Sequence, residues 1–147
     1  MSRYPHMLHQ DNHVWTDVLN HIGERFTAVW YDVKVGQATT VACDVPAWEQ
    51  RIREGCWGKR IDAIVQEGVT MWVVEVKPYG NHAALGQVLL YRDLFVRRHP
   101  EYQDVRMAIA CSSVDEDLSG VLTRYHVSTW IPVDHTEAYR GLPEVDG

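Results

Sequence analysis

Cysteine is scarce in this chain: Cys43, Cys56 and Cys111 are the only three, an odd number with no CxxC pair. That pattern argues against a disulfide framework and against a structural zinc site. Cys111 closes the apolar run VRMAIAC and reads as a small buried hydrophobe. No apolar run approaches the roughly 20 residues that a membrane span needs. The N-terminal stretch MSRYPHMLHQDNH lacks a hydrophobic segment of the secretory kind. A soluble, cytoplasmic protein is the expectation. Glycine-rich phosphate-binding loops, internal repeats and low-complexity blocks are also missing. Positive charge is not in excess, since 14 Lys and Arg face 20 Asp and Glu for a net charge of −6. This counts against a nucleic-acid partner, which leaves a basic footprint, although a local excess on one face is enough.

What is present is an ordinary globular composition, 46% hydrophobic and 23% charged, with six Trp to anchor a core. A chain of 147 residues fits one domain. Residues 1–12 are polar and His-rich and are expected to be loose, the domain is expected over 13–133, and the tail 134–147 to be irregular. Val14, Val18, Leu19, Ile22 and Phe26 recur at helical spacing over about 13–26. AVWYDVKV (28–35) reads as a strand, TTVACDV (39–45) as a second strand or edge, and 46–53 as a short helix. RIDAIVQ (60–66) and TMWVVEVK (70–77), separated by Glu67, Gly68 and Val69, form the clearest hairpin. Pro78 ends it because proline lacks a ladder donor. Asn81 can cap a helix that runs to about His99, before Pro100. VRMAIAC (105–111) is a strand, Asp115 caps a helix to about His126, and VSTWIPV (127–133) is a last strand. This order predicts an α/β domain with a mixed central β-sheet flanked by helices.

Strand alternation places Glu75 and Lys77 on one face and Trp72, Val74 and Val76 on the other. Two charges inside so apolar a run are costly unless partnered. Asp62 lies in the paired strand, and hairpin geometry can bring it to Glu75. Two carboxylates at one point are hard oxygen ligands suited to Mg²⁺ or Mn²⁺. A neighbouring ammonium can orient water and offset charge developing on a phosphodiester. The alternative is an ion-pair cluster at a sheet edge.

RIDA at 60–63 followed by EVK at 75–77 resembles the signature of the PD-(D/E)xK nuclease superfamily. In the following helix, ALGQVLLYRDLF sets Gln87 and Tyr91 one turn apart on one side. This pair resembles the QxxxY motif of RecB-type nucleases, including CRISPR-associated exonucleases of that type. The size and the order of elements also resemble archaeal Holliday-junction resolvases. The resemblance covers roughly residues 60 to 111. It implies a restriction endonuclease-like core (αβββαβ) and a nuclease-like domain over 13–133. It further implies Asp62 and Glu75 as metal ligands completed by the backbone carbonyl of Val76, Lys77 as the catalytic lysine, Gln87 touching the site, and Tyr91 supporting it or the DNA. Ile61 stands where many members have Pro. Such families also take an acidic residue from the first helix, for which Glu24 and Asp17 are the candidates, and often an upstream His, for which His13 and His21 are available.

Other residues carry weaker signals. His6, His9 and His13 have spacings that could hold a metal, in a polar terminal segment that is better read as loose. Arg51, Arg53, Lys59 and Arg60 lead into the candidate site, and Arg92, Arg97, Arg98 and Arg106 form a second basic group. Trp48 and Trp57 flank a polar helix and could stack on bases. The expected function is a Mg²⁺-dependent deoxyribonuclease that uses metal-activated water, with DNA as partner and a homodimer as one possible assembly. A nucleic-acid-binding or complex-assembly module that keeps the fold without hydrolysis is the alternative.

Overall fold

The computed structural model describes Met7, residues 9–36 and residues 59–132. Helix α1 (His9–Ile22) passes through a 3₁₀ turn (Gly23–Arg25) into strand β1 (Ala28–Lys34). Strands β2 (Arg60–Glu67) and β3 (Thr70–Val76) follow, then a short strand β4 (Tyr79–Gly80) and helix α2 (His82–Arg98). The chain continues through β5 (Asp104–Ala110), β6 (Ser113–Val114), a 3₁₀ turn (Glu116–Leu118), helix α3 (Ser119–Arg124) and β7 (Val127–Trp130). The expected strand at 39–45 and helix at 46–53, with Cys43, Cys56, Trp48, Trp57, Arg51 and Arg53, lie outside the described residues, as do His6 and the tail from 133.

The five-stranded sheet has the order β1-β2-β3-β5-β7, and β4 pairs with β6 in a separate small sheet. β1, β2 and β3 form an antiparallel meander, whereas β5 adds to β3 and β7 adds to β5 in parallel. Helix α2 is the crossover that a parallel β3–β5 pair requires. The result is a mixed α/β fold with a central sheet flanked by helices, as the order of elements predicts.

Each face of the sheet has its own core. On one, Val14, Trp15, Val18 and Ile22 of α1 pack with Val65, Trp72, Val74, Val76, Ala108 and Trp130. Trp72 and Trp130 meet there with ring centroids 5.2 Å apart. On the other, Ala84, Leu85, Val88 and Phe95 of α2 pack with Ile64, Met71, Val73, Val105, Met107 and Ile109. Covered on both sides, β3 is buried from Met71 to Val76, which is why it reads as an almost unbroken apolar run. Among the described residues, no helix is long and apolar enough to cross a membrane.

Three local expectations need correction. Helix α1 starts at His9, so residues 9–12 form its first turn instead of a loose segment. The reason is visible on the helix surface. The buried stripe Val14, Trp15, Val18 and Ile22 extends one turn back onto Asp11 and its neighbour Asn12, both buried. Phe26 lies past the helix, beyond the 3₁₀ turn. The helix expected from Asp115 to His126 is a 3₁₀ turn capped by Asp115, whose carboxylate accepts from Asp117 N at 3.0 Å, followed by the six-residue α3. It ends at Arg124, and His126, two residues on, sits in the left-handed region at φ 56°. The remaining boundaries agree within a few residues. Asn81 caps α2 by accepting from Ala84 N at 3.1 Å. Gly68, at φ 59°, makes the β2–β3 turn where a side chain would be strained.

Candidate active site

The β2–β3 ladder pairs Ala63 with Val74 and stops there. One step further, Val76 N donates to the Asp62 carboxylate (Oδ2) at 2.9 Å, so a side chain stands where a ladder carbonyl would. The cause lies in the neighbouring pair. Tyr31 pairs with Ala63 and Val33 with Ile61, yet Asp32 and Asp62 between them do not pair. Asp32 has φ 56°. Ile61 and Val33 face α2, while Ala63 and Tyr31 face α1, although strict alternation would keep Ile61 and Ala63 together. No residue is inserted; both strands turn over at the same rung. This matched kink re-aims Asp62 as β-bulges do beside active sites. Arg60 holds Asp32 there through a 2.7 Å ion pair.

Glu75 lies on the α2 face, in the same alternation as Met71 and Val73, and is only 3% exposed. Burial first, then the Asp62 charge, push its carboxyl up to about 8. Asp62 is also raised, chiefly by burial, with the Val76 N–H and the Lys77 charge opposing. The two carboxyls are near enough that each shifts the other's titration. Like charges this near favour one shared proton. Lys77 Nζ lies 3.6 Å from Glu75 Oε1, with its side chain 38% exposed. Among the described residues, Glu75 Oε2 is a buried acceptor without a hydrogen-bond partner, and so is Gln87 Oε1 on α2. Tyr91, one turn beyond Gln87 on α2, has its hydroxyl pushed up by burial and then by the Glu75 and Asp62 charges. A residue's N–H and C=O share a strand edge, so the Val76 carbonyl faces the side from which Asp62 approaches.

The structure therefore gathers Asp62, Glu75, Val76 and Lys77 at the end of β3, and α2 brings Tyr91 within reach of the two carboxyl charges, with Gln87 one turn before it on the helix. Glu24, Asp17, His13 and His21 are all exposed. The first-helix acid whose charge is felt at the site is Asp11, 8% exposed, which raises Asp62 further. Sequence reasoning missed it by starting the helix too late. The signal was there, because Asp11 falls on the stripe Val14, Trp15, Val18 and Ile22 at i, i+3, i+4, i+7 and i+11.

The donor set fits a hard divalent cation. Carboxylate oxygens from Asp62 and Glu75 converge, one of them has no partner, and the pair is destabilised as two anions in isolation. No group of three or more His, Cys, Asp or Glu forms a ready-made cluster among the described residues, so the Val76 carbonyl and solvent would complete such a shell. Cys111 is not a nucleophile, since burial pushes its thiol up to about 11.

No protein-family model and no curated protein matches the chain. Two solved structures are similar to it. One is a repair endonuclease from Pyrococcus abyssi, with 18% identity and a TM-score of 0.43 over 50% of this chain and 34% of that one. The other is EndoMS in a complex with double-stranded DNA, with 10% identity and a TM-score of 0.48 over 90% of this chain and 50% of that one. The chain thus spans half or less of the length of each.

Proposed function

We propose that this protein is a metal-dependent nuclease that hydrolyses DNA phosphodiester bonds, with Asp62 and Glu75 as ligands for Mg²⁺ or Mn²⁺ and Lys77 as the catalytic lysine. The observation that carries this reading is a carboxyl pair, buried Glu75 and half-buried Asp62, with a Lys77 ammonium 3.6 Å from Glu75 and a Glu75 oxygen left without a partner among the described residues. A purely structural ion-pair cluster would satisfy that oxygen, because an unsatisfied buried acceptor costs about 1–3 kcal/mol.

A bound divalent ion would polarise the phosphodiester and lower the pKa of the attacking water. The chain's own residues do the rest. The Val76 N–H fixes the Asp62 carboxylate, and the Asp32–Arg60 pair holds the kink that aims it. Lys77 places positive charge beside Glu75, where negative charge on a phosphate would grow. Gln87 offers its side chain to water or substrate from α2, and Tyr91, kept as a neutral phenol, can donate a hydrogen bond. Asp11 adds negative charge from α1 and strengthens the pull on a cation.

The test is incubation of the protein with branched, single-stranded and duplex DNA in Mg²⁺, Mn²⁺ or EDTA. Cleavage is expected with metal only, and Lys77→Ala should slow it by about 100-fold or more. If no substrate is cut, or if Lys77→Ala cuts like wild type, the catalytic reading fails and a binding module on the same fold takes its place.

A further inference from the structure

A groove of about 740 Å³ lies away from the carboxylates, lined by residues of α2, α3, β5 and β7. Its origin is a mismatch in strand length. β5 begins at Asp104, but its pairing with β7 begins only at Met107, opposite Val127. The edge of β5 before Met107 is therefore uncovered, and a notch opens between it and α3. Arg92 of α2 fills part of the vacated ladder by donating to the Val105 carbonyl at 3.0 Å. Arg106 reaches over the Trp72 ring, 5.8 Å from its centroid, and pairs with Asp104 at 3.1 Å. The far wall carries Arg124, Tyr125 and His126.

The chemistry of this lining is one-sided. Among the described residues, three arginines and a histidine line the groove and no acidic residue does, in a chain whose net charge is −6. Arg124 has no ion-pair or hydrogen-bond partner among the described residues, and Tyr125 is 50% exposed. Arginines beside an exposed aromatic, on a wall with the hydroxyls of Thr123 and Ser128, match a phosphate backbone carrying unstacked bases. Duplex DNA offers phosphates but no free base faces for Tyr125.

We propose that this groove binds single-stranded nucleic acid, with Arg92, Arg106 and Arg124 on the backbone and Tyr125 stacked on a base. Trp72 lines the groove, and Glu75, three residues later on the same strand, lies on the opposite face of the sheet, so the groove is a site separate from the carboxylates. The proposal deepens the nuclease reading and rests on it for its biological sense, but its binding is measured without any cleavage.

The experiment is fluorescence anisotropy of a labelled oligothymidylate in EDTA across a salt series, for wild type, Arg124→Gln and Tyr125→Ala. Both positions are exposed, and thermal melting checks that the fold is intact. Wild type should bind, and each added contact steepens the salt dependence. Arg124→Gln should weaken binding and reduce the log–log slope by about 0.7, the loss of one phosphate contact on a single strand. Tyr125→Ala should weaken binding by roughly fivefold or more with the slope unchanged. A matching duplex should bind more weakly and ignore Tyr125→Ala. Absence of oligothymidylate binding, binding indifferent to both substitutions, or duplex binding as tight as single-strand binding overturns the proposal. A Mn²⁺ titration of Arg124→Gln separates the two sites: an unchanged heat leaves the carboxylate reading standing whatever becomes of the groove.

Discussion

Replacing Glu75 by Gln should stabilise the metal-free protein, and only at high pH. The Glu75 carboxyl is raised from an ordinary 4.5 to about 8, mainly by burial and then by Asp62. Below pH 4.5 the group is protonated in both folded and unfolded chains and contributes no penalty. Between 4.5 and about 8 the unfolded chain gives up its proton while the folded one keeps it, so folding takes up a proton and stability falls as pH rises. Each unit of displacement is worth about 1.4 kcal/mol, so the accumulated loss above pH 8 is on the order of 5 kcal/mol. Glutamine cannot ionise, and Glu75→Gln escapes this loss. The assay is urea or thermal unfolding of both proteins in EDTA from pH 5 to pH 9. The variant's stability relative to wild type should climb across that range by several kcal/mol, or on the order of 10 °C in Tm for a chain of this size. A relative stability that stays flat from pH 5 to pH 9 would refute a buried Glu75 carboxyl raised by its Asp62 neighbour.

Three further outcomes follow from the same geometry. Because a cation must displace the Glu75 proton, apparent Mn²⁺ affinity should rise by about tenfold per pH unit between pH 6 and 8 and then level off, as read by calorimetry in buffers of different ionisation heat; affinity independent of pH would contradict it. Asp11→Asn removes the charge that raises Asp62 and should weaken Mn²⁺ binding by about 10-fold or more, while Glu24→Gln and Asp17→Asn, at exposed positions, should leave it unchanged. Asp32→Val puts a β-branched residue at a positive φ and breaks the Arg60 pair, so it should cost about 1–2 kcal/mol in an unfolding titration and weaken Mn²⁺ binding through Asp62. Asp32→Gly should recover most of the stability, and equal melting of the two variants would show that the kink carries no strain.

Much of this was legible in the sequence where a local pattern has one reading. The run TMWVVEV reads as a core strand, and its alternation alone places Glu75 on the face opposite Val74 and Val76. Asn81 and Pro100 bounded α2 because capping and proline are local chemistry. The kink at Asp32 and Asp62 was not legible. It depends on two residues from different strands meeting on one rung, and nothing in DVKV or RIDA alone marks it. Asp11 was legible in principle, since it continues the buried stripe of α1, but a polar residue near a His-rich terminus reads as solvated until the sheet that buries it is known. The groove beside Arg106 was out of reach for a similar reason. It arises from the offset between β5 and β7, a tertiary relation, whereas the sequence shows only a scatter of arginines. Of those, Arg97 pairs with Asp93 at 2.8 Å and Arg98 donates to the Gly36 carbonyl at 3.2 Å, so the basic group divides by its partners.

The central claim is that β2 and β3 together form one cation site from Asp62 and Glu75. Isothermal calorimetry with Mn²⁺ on wild type and Asp62→Asn at pH 8 addresses it most directly. Wild type should give a saturable heat with proton release, and the variant should lose it, with both proteins folded. Identical titrations of the two proteins would contradict it.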